Sequence, residues 1–360
     1  MLAGAAALVL AGCGLLASPP EPDNAAGGGA RSAATGGPWT CAGPRTATTP
    51  ADAVWPIGAA PSATLPVTVT DFSGRAVTVT DTRRILALDT YGTLATTVYA
   101  LGLGDRLVGR DVSTGIPALA HLPVVTHNGH ELNAEAILNL NPSVILTDYS
   151  IGPLEVQLQL RDAGIPVVIL DGGRSRATIE PQIEAVAAAL GVPAAGRALA
   201  DRVTADVTAA EAEVARLAPA AEADRPRIVF LYLRGQAGVY YWFGKGSGAD
   251  DLIAALDGVD VATQTGLLGE RPITAEGLVK AAPDLYLMMS HGLESVGGVA
   301  GLGRIPGVGT TTAGRDGCVV DMADSQILSF GPQFPATLTA LARAVYGGPP
   351  AATASPGASS

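Results

Sequence analysis

The sequence predicts an α/β protein of two lobes joined by one long helix. A short helix–proline–strand pattern occurs twice. Ala134-Glu135-Ala136-Ile137-Leu138 leads through Pro142 to Ile145-Leu146, and Ala275-Glu276-Gly277-Leu278-Val279 leads through Pro283 to Tyr286-Leu287. Short apolar runs alternate with helical segments, the pattern of a mostly parallel sheet covered by helices. Between the copies, Ala194 to Leu217 is rich in alanine and poor in breakers. A helix of about 24 residues spans roughly 36 Å, long for a crossover and suited to a strut. Two similar lobes facing each other leave a cleft, a preferred place for ligands.

The elements follow in order. Val67-Thr68-Val69-Thr70 and Ala76-Val77-Thr78-Val79 alternate about Asp71-Phe72-Ser73-Gly74, a hairpin signal with a glycine turn. Ile85 to Leu88 is a short buried strand. Leu94 to Leu101 is a helix ending at Gly102, and Leu107-Val108-Gly109 begins the next strand. A helix over 134–140, a strand over 143–147, a helix over 155–163 and a strand over Val167 to Leu170 come next. Ile179 to Leu190 is helical until Gly191 and Pro193 interrupt it. Ile228-Val229-Phe230-Leu231 opens the second lobe, strands recur at 285–289 and 318–322, and Ala336 to Tyr346 is the closing helix.

A chain of 360 residues has room for two ordinary domains. Its net charge of −11 argues against a nucleic-acid partner. Met1 to Leu10 is an apolar run too short to span a bilayer comfortably, and it ends in Leu10-Ala11-Gly12-Cys13. This resembles a bacterial lipobox, whose cysteine is lipidated and becomes the first mature residue. No Lys or Arg precedes the run, which suggests a start codon further upstream. Residues 14–64 are rich in Ala, Gly, Pro, Ser and Thr and read as a flexible tether, and 348–360 as a disordered tail. Of the other cysteines, Cys41 falls in the tether and Cys318 in a predicted strand. An export compartment permits a disulfide, but these positions argue only weakly for one. With no C-x-x-C pair, a zinc site is unsupported.

Two of the four histidines cluster in Thr126-His127-Asn128-Gly129-His130-Glu131, at the end of a predicted strand. Loops at the carboxyl ends of parallel strands carry ligands. Either His127 or His130 is a candidate metal ligand, though a lone histidine is more often structural. In Leu231-Tyr232-Leu233-Arg234-Gly235, alternation puts Tyr232 and Arg234 on one face. A guanidinium beside a phenol favours the phenolate, a hard ligand for ferric iron and a known axial ligand of haem. A half-buried strand tyrosine beside a surface arginine is the plainer reading. Tyr240-Tyr241-Trp242-Phe243 forms either one wall of a large flat apolar pocket or a core strand. Gly244-Lys245-Gly246 fails the phosphate-loop pattern in spacing and in its missing Ser/Thr, and nothing assembles a nucleophile with its base. Glu135 and Glu276 each open a repeated helix. Either they complement the helix dipole, or, one per lobe, they dock on basic residues of a symmetric partner.

From about Val67 to Tyr346 the chain resembles the iron-chelate class of ABC-transporter substrate-binding proteins, and within it the haemin-binding lipoproteins. The residues that carry the resemblance are Gly129-His130-Glu131-Leu132-Asn133-Ala134-Glu135, Leu231-Tyr232-Leu233-Arg234-Gly235 and Phe243-Gly244-Lys245-Gly246-Ser247-Gly248-Ala249-Asp250. Gly292-Leu293-Glu294-Ser295-Val296-Gly297-Gly298 and Ser329-Phe330-Gly331-Pro332 add to them. The resemblance implies two Rossmann-like lobes on one long helix, the class III periplasmic binding protein architecture. It implies haem as the transported ligand, with His130 and Tyr232 as axial ligands of its iron and Arg234 hydrogen-bonded to the tyrosine oxygen. Glu135 and Glu276 match positions that dock on the permease. Gln333 departs from the arginine expected after Gly331-Pro332, which weakens an expected propionate contact, and His127 adds an alternative ligand beside His130.

The expected organisation is a lipoprotein signal peptide over 1–13, a tether over 14–64, an N-terminal lobe over 65–193, a linking helix over 194–218, a C-terminal lobe over 226–347 and a tail over 348–360. The expected function is capture of haem by a protein anchored through Cys13 on the outer face of the cell membrane. Its partners are an ABC permease and ATPase, and it performs no reaction. The alternatives are the same fold binding a ferric siderophore or corrinoid, a metal-cluster or chelatase-type enzyme on a related frame, and a structural surface protein.

Overall fold

The computed structural model describes residues 38–347. Cys13, the signal segment 1–13, the start of the expected tether and the tail 348–360 lie outside them. The N-terminal lobe is built on three parallel strands in the order Ile85–Leu88, Val144–Thr147, Val167–Ile169. Every residue of the three is buried. Burial on both faces is why they read as continuous apolar runs. The hairpin Val67–Thr70/Ala76–Val79 docks beside them through Phe72 N–H to Ile169 O at 2.8 Å.

The C-terminal lobe carries a seven-stranded sheet. Its order is Arg45–Ala47, Val319–Met322, Leu285–Met289, Arg227–Arg234, Val239–Phe243, Glu270–Pro272, with Val259–Asp260 also pairing with the Arg227–Arg234 strand. Pairing is parallel from Arg45–Ala47 through Arg227–Arg234, and antiparallel in the aromatic hairpin that follows.

The duplicated motif folds alike in both lobes. Helices Ala134–Asn139 and Ala275–Ala281 each start at a polar cap: Asn133 Oδ1 accepts from Ala136 N–H at 3.0 Å, and Thr274 Oγ1 from Gly277 N–H at 3.1 Å. Capping of this kind is typically worth ~1 kcal/mol. Each helix then passes a proline and feeds a buried parallel strand. The 25-residue helix Pro193–Leu217 connects the lobes, with Leu199, Val203 and Val214 buried. It packs on Arg176–Ala189 on one side and Phe334–Tyr346 on the other. Among the described residues no helix is long and apolar enough to cross a membrane.

Three expectations need correction. Residues 38–64 are not a flexible tether. Arg45–Ala47 adds a parallel edge strand beside Val319–Met322, and Trp39 donates from Nε1 to Val345 O at 2.9 Å. The segment then crosses to the other lobe, where Ile57 N–H meets Ala100 O and Thr64 N–H meets Gly191 O. A three-residue strand completed by distant partners leaves no periodicity to read. Second, Cys41 and Cys318 are joined in a disulfide across 277 residues of sequence. Third, the strand expected at Leu107 is reduced to isolated bridges, Ile85 with Leu107 and Arg110 with Val124. The helix near Leu94 runs Thr93–Val98 and widens into a turn over Tyr99–Leu103, where Gly102 takes φ 81°.

The disulfide closes a long loop, so it restricts the unfolded chain strongly. Cys41→Ser should lower the unfolding free energy by about 2–5 kcal/mol, measured by urea denaturation. A reductant should destabilise the wild type similarly and leave the variant unchanged.

Candidate functional site

The carboxyl ends of the N-terminal strands are organised by buried aspartates. Asp89 accepts from the backbone N–H groups of Tyr91, Thr93 and Leu94. Asp111 accepts from Asp89 N–H and from both the N–H and hydroxyl of Thr114. Asp148 accepts from the N–H and hydroxyl of Ser150, and Ser150 Oγ accepts in turn from Thr90 N–H. Each aspartate takes up loop donors that burial would otherwise strand. Burial pushes the Asp111 carboxyl up to about 6. It also raises Asp89, further lifted by Asp111 and Asp148, and it raises Asp148. No motif in the sequence marks this cluster, although each member directly follows a strand or a bridging residue.

These loops place Thr90, Tyr91 and Ser113 on one wall of a cavity of about 830 Å³ between the lobes. His130 reaches it from a tight hairpin. Thr126–His127 pairs with Glu131–Leu132, and the turn between them needs positive φ at Asn128 (46°) and Gly129 (90°). Leu132 is buried and its N–H bonds to Gly152 O at 2.7 Å, which roots the hairpin in the lobe. His130 at the tip lines the cavity, and its buried Nδ1 has no hydrogen-bond partner among the described residues. Burial, reinforced by the Arg234 charge and opposed by Asp324, holds the imidazole below its usual value. The neutral form, which binds metals, is therefore favoured.

The opposite wall belongs to the other lobe. Tyr232 lies on Arg227–Arg234 directly opposite Tyr241 of the next strand. Val239, Tyr241 and Phe243 face the cavity, and Trp242 is buried on the other face. Alternation along one strand thus makes it both pocket wall and core. Tyr232 stacks on Phe243, with ring centroids 5.8 Å apart. Arg234 shares the face of Tyr232 as expected, but it does not bond the phenol oxygen. Its guanidinium lies 4.4 Å over the Tyr232 ring, while its nitrogens donate to Asp324 at 2.7 Å and to Leu233 O at 2.9 Å. Asp324 also accepts from His291 N–H, tying this wall to the next loop.

The structure brings His130, Tyr232 and Arg234 to one cavity and separates the remaining candidates from it. His127 is exposed and pairs with Glu131 at 3.3 Å, outside the cavity lining. Gln333 is buried at the junction of the lobes, donating to Ser325 O at 2.9 Å and accepting from Thr96. It supports the wall from behind and does not line the cavity. Glu135 and Glu276 are exposed at the starts of their helices. Both helices run back from the carboxyl ends of their strands, the end that walls the cleft.

A sequence profile of the periplasmic binding protein family matches residues 90–325. A crystal structure of the heme binding protein HmuT superposes with a TM-score of 0.80 at 44% identity, covering 84% of this chain and 97% of that one. The periplasmic heme-binding protein RhuT from Roseiflexus sp. RS-1, in apo form, gives 0.68 at 36% identity, covering 74% and 98%. The uncharacterized ABC transporter substrate-binding lipoprotein YvrC of Bacillus subtilis (strain 168) is 27% identical over 224 residues, 61% of this chain and 68% of that protein.

The raised Asp111 carboxyl has a stability consequence. A carboxyl whose folded value exceeds its unfolded one stabilises the fold when protonated. That contribution is complete below about pH 4 and is lost as pH rises through about 6. Asp111→Asn carries no such proton. From pH 6 down to 4, the unfolding free energy of the wild type should gain on that of the variant by more than about 1 kcal/mol, read from urea denaturation across that range.

Proposed function

The chain belongs to the periplasmic binding protein family, and we propose that it captures haem in the cleft between its lobes and delivers it to an ABC importer. The observation that carries this reading is one cavity of about 830 Å³ receiving His130 from one lobe and Tyr232 from the other. Among the described residues no three His, Cys, Asp or Glu side chains converge on a metal site. Two opposed donors are what a metal already held in a planar four-nitrogen ring leaves open. Imidazole and phenolate are both established axial ligands of haem iron. The apolar Val239, Phe243 and Met289 give a flat macrocycle surface to bury. The names of the heme-binding relatives support the same ligand.

In this reading His130 and Tyr232 are the axial ligands. Arg234 holds the tyrosine through its ring face, and Asp324 fixes the arginine. The protein carries out no reaction. Glu135 and Glu276, one on each lobe, meet the permease of the importer. Cys13 is the lipid anchor that keeps the protein on the outer face of the membrane, a placement supported by the substrate-binding lipoprotein among its relatives.

Titrating the full chain with ferric haem should give a saturable Soret band. His130→Ala and Tyr232→Ala should each change its position and weaken binding about tenfold or more, and His127→Ala should change neither. Haem binding indifferent to both substitutions would overturn the axial pair, and no saturable band would favour a ferric siderophore or corrinoid, which need no protein atom on the metal.

The double charge reversal Glu135→Lys/Glu276→Lys should leave the haem spectrum intact. It should weaken stimulation of the reconstituted importer's ATPase about tenfold or more.

A further inference from the structure

The inference rests on the haem reading and concerns how the propionates are held. The cavity lining is negative. Its one arginine, Arg234, is already bound to Asp324 at 2.7 Å, while Glu270, Glu294 and Asp324 contribute three carboxylates. Haem brings two more, and like charges brought together out of water repel strongly. Gln333, at the position where an arginine was expected, is buried behind the wall. Among the described residues the lining therefore offers no unengaged arginine or lysine for a propionate.

Arg174 stands beside the lining and not in it, with its guanidinium against two lining residues, Tyr91 and Glu270. It lies in the loop after Val167–Ile169, and its guanidinium stacks 4.2 Å over Tyr91, a residue of the cavity wall. Its Nε donates across the cleft to Ser247 O at 3.2 Å. The loop is fixed by its neighbour Arg176, which bonds Asp251 in the C-terminal lobe and Glu211 on the long helix. The guanidinium plane is therefore set before any ligand arrives, which reduces the ordering cost of binding. Among the described residues its terminal nitrogen reaches a loose partner, Glu270 at 3.5 Å, beyond the usual range for an N–H···O bond. Glu270 lines the cavity, is 44% exposed and sits on a short edge strand whose three residues are all exposed.

We propose that Arg174 is the counter-charge for one haem propionate, and that the Glu270 carboxylate competes with that propionate for the same guanidinium. Arg174 favours ligands with a carboxylate at this edge of the ring, and Glu270 sets how strongly.

The test compares ferric haem with its dimethyl ester, which keeps the iron and ring and removes both charges. Soret titrations use the full chain, R174Q and E270Q. R174Q should weaken haem binding about tenfold while changing ester binding less than about twofold. E270Q should tighten haem binding and leave the ester alone. Equal losses for haem and ester in R174Q, or no loss for either, would overturn the role of Arg174. An E270Q chain with unaltered preference would overturn the competition. A wild type that binds neither compound removes the haem reading and this inference with it, an outcome distinct from a wild type that binds both equally, which overturns the propionate contact alone.

Discussion

Everything at the site depends on two sheets being held with the carboxyl ends of their parallel strands facing one another. No single contact across the cleft does this. The helix Pro193–Leu217 fixes the spacing by packing against a helix of each lobe. The segment after Pro38 makes a second crossing. It is clamped to one sheet by the Arg45–Ala47 strand and the Cys41–Cys318 disulfide, and to the other lobe near Ala100 and Gly191. At the floor, Thr93 bonds Ser329, and Gly115 lies so close to Ser325 that a Cβ there would collide with its side chain. Lobes tied at so many places have little freedom to hinge. Affinity in such a frame comes from a preformed cavity more than from closure.

Within that frame the charges are arranged in depth. Buried aspartates stabilise the loops of one wall while being partly relieved of charge by burial. Among the described residues the lining is mostly hydroxyl, aromatic and apolar, with Arg234 neutralised by Asp324 and with Glu270 and Glu294 leaving it negative. Such a wall leaves His130 as a neutral donor and gives a cation–π contact to Tyr232. The arginines that join the lobes, Arg174 and Arg176, stand behind the lining. There they brace the cleft as well as lending charge to it.

The parts of this arrangement that are local in sequence were legible there. The repeated Ala-Glu helix followed by a proline and a buried strand is legible because capping, helix and strand lie within about a dozen residues. The shared face of Tyr232 and Arg234 follows from the two-residue period of a strand. The choice between His127 and His130 stayed open because it depends on a turn. Once Asn128 and Gly129 fold back, one histidine pairs across the hairpin with Glu131 and the other sits at the tip. The disulfide and the Arg45–Ala47 strand were not legible, since both join segments more than 270 residues apart. Arg174 gave no signal either. Nothing near it in sequence announces Tyr91, Ser247 or Glu270, and only the packed lobes bring them together.

The same topology bears on the proposed docking through Glu135 and Glu276. In a parallel α/β lobe, a helix that feeds the next strand begins at the strands' carboxyl end. Glu135 follows the cavity residue His130 by five positions, and Glu276 follows the cavity residue Glu270 by six. The exposed Leu138 and Val279 lie three residues beyond, one helical turn on. Each lobe therefore presents an acidic group and an apolar one on the repeated helix, in the same order and at the same spacing. A partner with two similar halves can engage both at once, so the duplication that builds the cleft also supplies the symmetry of the surface around it.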